Sequence, residues 1–304
     1  MNFIKKNFAG IIFSLFFLII ILHNLNFEDF FKFIAEFNYF YLAIFIIIYL
    51  LNLCIKTFRW SILLQNKNVK KFILFFIYSI GNAFNICMPF RFGDFWKAYR
   101  YGQESKLPIS EVFGTVIVER LSDFLSTLFV LFFIVFRYFK NDFTLKLLYN
   151  TTNLAFIALL AVIFLLIISK YFKKFSIISE FISGIKKFGN FKNFIFIFCL
   201  SLLTRMLEAV FVYTLIIGSG LKIGFSAALF VIVFNALAGI IPSVSNYIGA
   251  YQYSYILALG IYGISKTQAF AIVTIYEFVT LITLIFIASL YFIQKLISDN
   301  SANS

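Results

Sequence analysis

The sequence predicts an all-α protein that crosses a membrane several times, and three observations lead to this fold class. Of its 304 residues, 62% are hydrophobic and 13% are charged, whereas a soluble domain is about half apolar and about a quarter charged. Several apolar runs exceed the roughly 18 residues that a helix needs to cross a bilayer. The Lys and Arg residues are concentrated in short connections between these runs, as the positive-inside rule describes.

The apolar runs give nine candidate membrane spans. They are 8–25, 39–55, 72–89, 111–136, 151–169, 194–217, 224–241, 247–263 and 267–294. The first run is interpreted as a retained span, because Lys5 and Lys6 precede it and no small-residue cleavage pattern follows it. We expect residues 1–304 to form a single integral membrane domain.

The charges of the connections predict which side of the membrane each one faces. Residues 56–71 hold five Lys or Arg residues and residues 170–192 hold six, whereas residues 26–38 hold three acids and one lysine. The positive-inside rule therefore places 1–7, 56–71 and 170–192 in the cytoplasm and 26–38 outside. We expect a location in the cell inner membrane, with both termini cytoplasmic.

Residues 72–89 conflict with this topology if they cross the membrane fully, because 170–192 then lies outside, against its charge. The conflict disappears if the segment enters and leaves on the cytoplasmic side. Gly81, Asn82 and Asn85 favour such a broken, re-entrant helix, since non-helical backbone at membrane depth is tolerated only inside protein or beside a cavity. An ordinary full span, with an exception to the charge rule, stays open as the alternative.

The stretch "NICMPFRFGDFWKAYR", residues 85–100, forms the predicted cytoplasmic exit of this hairpin. After Pro89, Gly93 permits a tight turn and Asp94 can cap a helix whose first amides point back toward the hairpin. A positive helix end beside Arg91 is a natural binding site for a lipid phosphate.

The same stretch has a second interpretation, which is compatible with the first. Lys97 and Arg100 can serve to orient the chain in the membrane, while Phe95, Trp96 and Tyr99 form an aromatic belt at the interface. Both interpretations place the stretch at the cytoplasmic side of the bilayer.

The two halves of the chain contain a similar order of residues, which predicts an internal repeat. In the first half Arg59 precedes Pro89 by 30 positions, and Glu119 follows 30 positions later. The second half has the same order, with longer spacings, in Arg205, Pro242 and Glu277. The segment "NYIGAYQ", which contains Gly249, follows the second proline as "FRFGDFW" follows the first.

The predicted topology gives these repeats, about 1–136 and 151–295, opposite orientations, because span 39–55 runs inward and span 194–217 runs outward. Inverted repeats with interrupted segments in matching positions are typical of secondary transporters, whose binding site lies at the repeat interface near the midplane. Chance recurrence of Arg, Pro and Glu is the alternative explanation.

Ionisable residues inside the predicted spans are functional candidates, because each costs about 2.5–3.5 kcal/mol to insert at the centre of a membrane helix. They are Glu119, Arg120, Asp123, Arg205, Glu208 and Glu277. The three-residue spacing of Arg120 and Asp123, and of Arg205 and Glu208, also allows mutual neutralisation on one helix face. Glu119 and Asp123 share a face, which requires a cation from Arg59, Arg120, Arg205 or a substrate.

The remaining composition does not support a metal, cofactor or nucleic-acid site. The single histidine, His23, argues against a His-rich metal site, and the three cysteines lie in or beside apolar runs without a disulfide framework. Topology and anionic lipid head groups explain the net charge of +13 better than nucleic-acid binding does. The sequence contains no P-loop motif, so we expect no ATP coupling within this chain.

Three ordered motifs in the first half resemble the lysylphosphatidylglycerol synthase transmembrane region, also called the flippase-like or UPF0104 family. They are "FRWSILLQ" (58–65), "NICMPFRFGDFWKAYR" (85–100) and "VERLSDFLSTL" (118–128). Asp94 stands where the family usually has Glu. The segment "IPSVSNYIGAYQYS" (241–254) is similar to the family's Pro-x-x-Pro-Gly-x-x-Gly-x-x-Glu element, but Ser245 and Asn246 replace the Pro-Gly pair and Gln252 replaces the acid.

The resemblance implies a stand-alone membrane domain that moves lipids between leaflets, without the aminoacyl-transfer domain of the bifunctional members. The expected partner is an anionic phospholipid or a polyprenyl-phosphate-linked lipid. The alternatives are a membrane enzyme acting on lipid phosphates and a non-catalytic accessory protein of envelope lipid synthesis. The absence of a nucleotide or metal motif favours a role without catalysis, and the oligomeric state stays open, with a dimer among the options.

These considerations predict a polar cavity near the midplane and two broken hairpins beside it. The predicted lipid-phosphate-binding residues are Arg59, Arg91, Asp94, Arg100, Glu119, Arg120, Asp123, Arg205 and Glu277. The predicted hairpin residues are Asn85, Pro89, Gly93, Pro242 and Gly249.

Overall fold

The computed structural model is helical throughout the residues that it describes, which are 21, 25–65, 69–88, 91–138, 183, 191–238 and 249–302. We number its helices α1 (Phe27–Ala35), α2 (Phe40–Leu64), α3 (Lys71–Cys87), α4 (Phe92–Ser105), α5 (Ile109–Tyr138), α6 (Phe191–Gly218), α7 (Phe225–Ala238), α8 (Ala250–Gly260) and α9 (Lys266–Ala302). Within these residues, three segments are long and apolar enough to cross a membrane, namely Phe40–Leu64, Lys192–Gly218 and Lys266–Gln294. The predicted all-α, polytopic membrane fold is confirmed.

Some predicted features fall outside the described residues. They are the span 151–169, nearly all of the span 8–25 and of the basic loop 170–192, and the two prolines Pro89 and Pro242. The topological prediction for these parts stays a prediction.

Two predicted connections are partly helical. The span predicted for 39–55 continues as α2 to Leu64 and ends at Gln65, whose φ is 53°. No Gly or Pro interrupts this run, and Arg59 within it is neutralised by partners from other helices, as described below. The predicted outer connection 26–38 contains α1. Asn26 caps the start of this helix by accepting hydrogen bonds from the backbone N–H groups of Glu28 and Asp29.

Helices α3 and α4 form a tight antiparallel hairpin. Helix α3 has 17 residues, which gives about 26 Å at 1.5 Å per residue and is shorter than the roughly 30 Å hydrocarbon core. Gly81 and Gly93 face each other where the two backbones meet: a Cβ atom at Gly93 would lie 1.7 Å from the carbonyl oxygen of Gly81. Gly93 was expected to permit a tight turn, but it lies within α4, where the close approach of α3 requires a residue without a side chain.

Helices α2 and α6 pack against each other in antiparallel directions. The backbone N–H of Asn38 donates to the carbonyl oxygen of Gly218 at 2.8 Å, and the side-chain amide of Asn52 donates to the carbonyl oxygen of Thr204, also at 2.8 Å. The contacts therefore run in opposite order along the two helices. Because α2 begins the first half and α6 the second, this is the relation that an inverted repeat requires.

Exchanging α2–α5 with α6–α9 leaves the pattern of helix packing unchanged. Helix α3 packs on α4 as α7 packs on α8, and α4 packs on α5 as α8 packs on α9. Helix α9 crosses over to pack on the first hairpin, as α5 crosses over to pack on the second. Each apolar core is accordingly completed by a helix from the other half, so the two halves fold together around their interface.

We expect Gly93→Ala to destabilise the α3–α4 hairpin. The added Cβ atom overlaps the Gly81 carbonyl, and overpacking of this kind costs about 1–3 kcal/mol or more. The thermal unfolding midpoint of the purified protein in detergent measures the effect. Gly260→Ala is the matched control, because nothing lies within 4 Å of its added Cβ atom; equal midpoints for the two variants would contradict the close approach.

Candidate functional site

Arg59 lies at the centre of a buried group of charges between α2, α5 and α6. Its side chain is fully buried, and it donates from Nη1 to Asp123 Oδ1 at 2.6 Å and to Ser201 Oγ at 2.6 Å. Nη2 donates to Glu119 Oε1 at 3.1 Å. The cation that the shared face of Glu119 and Asp123 requires is therefore Arg59, which is one of the candidates that the sequence offers.

Lys97 is a second buried cation, and the sequence did not identify it as part of the site. Its side chain is 2% exposed, and Nζ lies 2.6 Å from Glu119 Oε2 and 3.8 Å from Asp94 Oδ1. It also lies over the rings of Trp60 and Tyr78, at 4.9 and 4.5 Å from their centroids, a position that favours a cation. Its three-residue spacing from Asp94 was the available signal, because it places both groups on one helix face.

Glu119 accepts hydrogen bonds from three side chains on three helices. Besides Arg59 and Lys97, the hydroxyl of Tyr78 on α3 donates to its Oε1 atom. A carboxylate buried in this way is balanced by two cations and one neutral donor, as a buried charge requires. Glu119 thus joins α2, α3 and α4 to α5.

Asp94 and Arg120 join the α3–α4 hairpin to α5. Arg120 donates from Nε to Asp94 Oδ2 at 2.9 Å and from Nη2 to Oδ1, a two-point contact that fits the planar guanidinium. Asn85 on α3 also donates to Asp94 Oδ1, at 3.2 Å. The second carboxylate near Arg120 is Asp123, with 3.6 Å between Nη1 and Oδ2.

The predicted helix cap at Asp94 is wrong. Helix α4 begins after Arg91, whose φ of 54° places it in the left-handed region, and no side chain caps the helix. Asp94 lies within the first turn and uses both oxygens for Arg120. The bidentate ion pair replaces the capping hydrogen bond, because an arginine within the membrane requires a charged partner more than an amide does. Arg91 lies 3.7 Å from Asp94 at this helix end, and its side chain is 46% exposed.

Arg205 and Glu208 on α6 form the pair that their spacing predicts, with 2.6 Å between Nη1 and Oε2. Lys56 on α2 also contacts Glu208, with 2.7 Å between Nζ and Oε1. The sequence placed Lys56 in a cytoplasmic loop, but the extension of α2 brings it into the helix bundle.

Together with the residues above, this group contains six cations and four carboxylates, so two positive charges are in excess. They are Lys56, Arg59, Arg91, Lys97, Arg120 and Arg205, with Asp94, Glu119, Asp123 and Glu208.

A cavity of about 270 Å³ lies beside these charges, between the two halves of the molecule. Its wall combines Arg91 and α5 from the first half with residues of α6, α7, α8 and α9 from the second. The charged residues that line it are Arg91, Arg120, Asp123, Arg205 and Glu208. Positive charge is therefore in excess at the wall itself.

An apolar chamber of about 360 Å³ lies between α5, α6 and α7. Its lining residues Val130, Met206 and Leu229 lie within one helical turn of Thr127, Arg205 and Ile232, which line the polar cavity. Phe129 and Phe133 complete one wall of the chamber. The charged cavity and the apolar chamber therefore adjoin along the same three helices.

Five of the nine predicted phosphate-binding residues do not line the cavity. Arg59, Asp94 and Glu119 belong to the buried charge group beside it, and Arg100 and Glu277 lie outside that group. Arg100 pairs with Glu104 at 2.5 Å and donates to the hydroxyl of Tyr291 at 3.3 Å. Glu277 on α9 accepts hydrogen bonds from Gln252, which α8 positions after Gly249. Over the stretches that the structure covers, no group of three His, Cys, Asp or Glu side chains forms a metal site.

Lys97→Met tests the buried charge group. The change leaves Glu119 without its closest cation, and breaking a buried ion pair costs about 3–5 kcal/mol. We expect a large drop in the thermal unfolding midpoint in detergent, with partial recovery in Lys97→Met/Glu119→Gln, which removes both charges. Lys71→Met is the matched control, because Lys71 is exposed at the start of α3; a drop of the same size in that variant would rule out a specific role for the pair.

Comparison with known proteins agrees with the motifs in the sequence. The family model described as the lysylphosphatidylglycerol synthase transmembrane region matches residues 7–288. A UPF0104 membrane protein of Methanocaldococcus jannaschii is 24% identical over 216 residues, which cover 68% of this chain and 92% of that protein. No solved structure matches. Since the family model covers nearly the whole chain and the helices it spans build the charged cavity, this protein belongs to the lysylphosphatidylglycerol synthase transmembrane-region family.

Proposed function

We propose that this protein moves an anionic phospholipid or a polyprenyl-phosphate-linked lipid between the leaflets of the cell inner membrane. The observation that carries the proposal is the cavity between the two halves, which three arginines and two carboxylates line. Uncompensated positive charge inside a membrane is costly, and a phosphate that enters the cavity neutralises it. The family to which the chain belongs takes its name from a lipid-synthesising membrane protein, which supports a lipid as the substrate.

The side chains of the cavity suit a phosphate group. Arginine matches phosphate with two parallel N–H donors, and such charge-assisted bonds are among the stronger ones in proteins. Arg205 uses Nη1 for Glu208, and its Nε atom has no hydrogen-bond partner among the described residues. A donor of Arg205 therefore remains for a ligand, whereas the fork of Arg120 is already engaged by Asp94.

The size of the two spaces suits a lipid with a polar head and an apolar chain. A volume of about 270 Å³ is near the lower end of the roughly 300–1,000 Å³ of small-molecule sites, so it fits a head group and not a whole lipid. The adjoining apolar chamber offers a path for a hydrocarbon chain without exposing it to the charged wall. A soluble phosphate would need no such chamber.

The two hairpins suggest how the lipid moves. Arg91, at the end of the α3–α4 hairpin, is partly exposed and also lines the cavity, so it can bind a phosphate at the membrane surface first. A phosphate that then competes with Asp94 for Arg120 loosens the contact of the α3–α4 hairpin with α5, and one that competes with Glu208 for Arg205 weakens an ion pair on α6. Rocking of one repeat against the other about the fixed site then exposes the head group to the second leaflet.

Arg205→Gln is the sharpest test of this function. It removes one cavity cation, but Glu208 keeps Lys56 as a partner, so the fold loses less than with Arg59 or Arg120. A charge-assisted hydrogen bond contributes about 1.5–3 kcal/mol, so we expect the rate of lipid movement in reconstituted vesicles to fall by about tenfold or more. The rate is measured with fluorescently labelled phosphatidylglycerol: as the lipid moves from the outer to the inner leaflet, its label becomes inaccessible to a quencher added outside the vesicles.

Two further variants separate a binding role from a structural one. Arg205→Lys keeps the charge but loses the planar guanidinium group, which can donate two parallel hydrogen bonds to a phosphate. Its rate of lipid movement should therefore lie between those of the parent and Arg205→Gln. Lys106→Gln removes an exposed cation outside the cavity and should leave the rate unchanged. If folded Arg205→Gln and Arg205→Lys move the lipid as fast as the parent, the cavity is not the transport site.

A further inference from the structure

Glu277 is the acid of the second half that corresponds to Glu119, and its surroundings differ from those of its counterpart. It lies within the apolar segment Lys266–Gln294 of α9. Both of its carboxylate oxygens accept from one donor, Gln252 Nε2 on α8, at 2.8 and 2.9 Å. The other end of that amide is fixed, because Gln252 Oε1 accepts from the backbone N–H of Gly249 at 2.6 Å.

No lysine or arginine of the described residues forms an ion pair with Glu277. Helix α8, which supplies the partner Gln252, contains no charged residue. On α6, Arg205 is paired with Glu208, and on α2 the charged side chains Lys56 and Arg59 are paired with other acids.

The remaining helices against α9 also bring no charge to Glu277. Helix α3 carries only the exposed Lys71 at its start. Helix α1 carries Glu28, Asp29 and Lys32, which are exposed on its surface. The titratable groups that interact with Glu277 are the tyrosines Tyr251, Tyr255 and Tyr276.

The surroundings of Glu277 favour each protonation state in a different way. The ionised form gains two hydrogen bonds from the amide but has no cation to balance it in a membrane helix. The neutral form avoids the cost of the buried charge. A metal cation fits poorly, because the group that faces the carboxylate is an N–H donor and the amide oxygen already accepts from Gly249.

Glu277 and Gln252 lie directly behind the cavity wall. Their neighbours in sequence, Tyr276 and Tyr251, line the cavity, with ring centroids 5.9 Å apart. A change of charge on Glu277 therefore acts on the contact between α8 and α9 that forms this wall.

We propose that Glu277 is a proton-binding site, which takes up and releases a proton inside the membrane and couples it to the lipid movement proposed above. The coupling rests on that proposed function, whereas proton binding stands on its own. In the first half, Glu119 is held by Lys97, Arg59 and Tyr78, so it stays ionised and holds the helices of that repeat together. The second half carries the acid that changes its charge.

Infrared difference spectroscopy of the purified full-length protein tests proton binding without any lipid transport. During a pH titration of the parent, we expect a carboxyl carbonyl band that is lost in Glu277→Gln and kept in Glu28→Gln, the matched change at an exposed acid on α1. Gln252→Ala removes the donor that Glu277 has among the described residues and should move the band. This variant provides the test if Glu277→Gln fails to fold. A spectrum in which no band depends on Glu277 or Gln252 overturns the proposal.

Vesicles with an imposed pH gradient test the coupling. We expect the gradient to accelerate movement of labelled phosphatidylglycerol by the parent and by Glu28→Gln, and Glu277→Gln to lose this acceleration. If the parent moves the lipid at the same rate with and without the gradient, the proposed coupling is wrong and the proposed function stands. If the parent moves no lipid although the Glu277 band titrates, the proposed function and the coupling fail, and the proton-binding site remains.

Discussion

The neutralisation of charge inside the membrane is the constraint on which this structure depends. A lysine or arginine in a hydrocarbon environment needs a partner, because water cannot supply one there. Arg59, Lys97 and Arg120 find their partners on other helices, at Glu119, Asp123 and Asp94. The ion pairs therefore fix how the α3–α4 hairpin and α2 meet α5, and the close approach of Gly81 to Gly93 brings α4 within reach of these partners.

The two halves share a pattern of helix packing but not a distribution of charge. The first half holds the paired group around Arg59 and Glu119, whereas α8 and α9 of the second half contribute tyrosines, Gln252 and Glu277, an acid with no ion pair among the described residues. The cavity lies where these two chemistries meet. A phosphate is attracted to one wall and an amphiphile can extend along the other, so the asymmetry is what makes the site suitable for a lipid.

Local spacing in the sequence predicted part of this site, and long-range packing decided the rest. The Arg205–Glu208 pair follows from a three-residue spacing on one helix face, and the need of Glu119 and Asp123 for a cation pointed to Arg59 among others. The pairing of Lys97 could not be predicted from local spacing. Its partner Glu119 is 22 residues away, and the two side chains meet only because α4 packs against α5. The extension of α2, which brings Lys56 to Glu208, was missed because positive charge was taken to mark a loop.

Native mass spectrometry of the purified protein tests most directly whether the excess positive charge of the cavity binds a lipid phosphate. The protein is mixed with equal amounts of phosphatidylglycerol, phosphatidylcholine and diacylglycerol that carry the same acyl chains. A cavity wall with three arginines and two carboxylates predicts that phosphatidylglycerol is retained most, phosphatidylcholine less because its choline is repelled, and diacylglycerol least. Equal retention of the three lipids would contradict a phosphate site between the repeats.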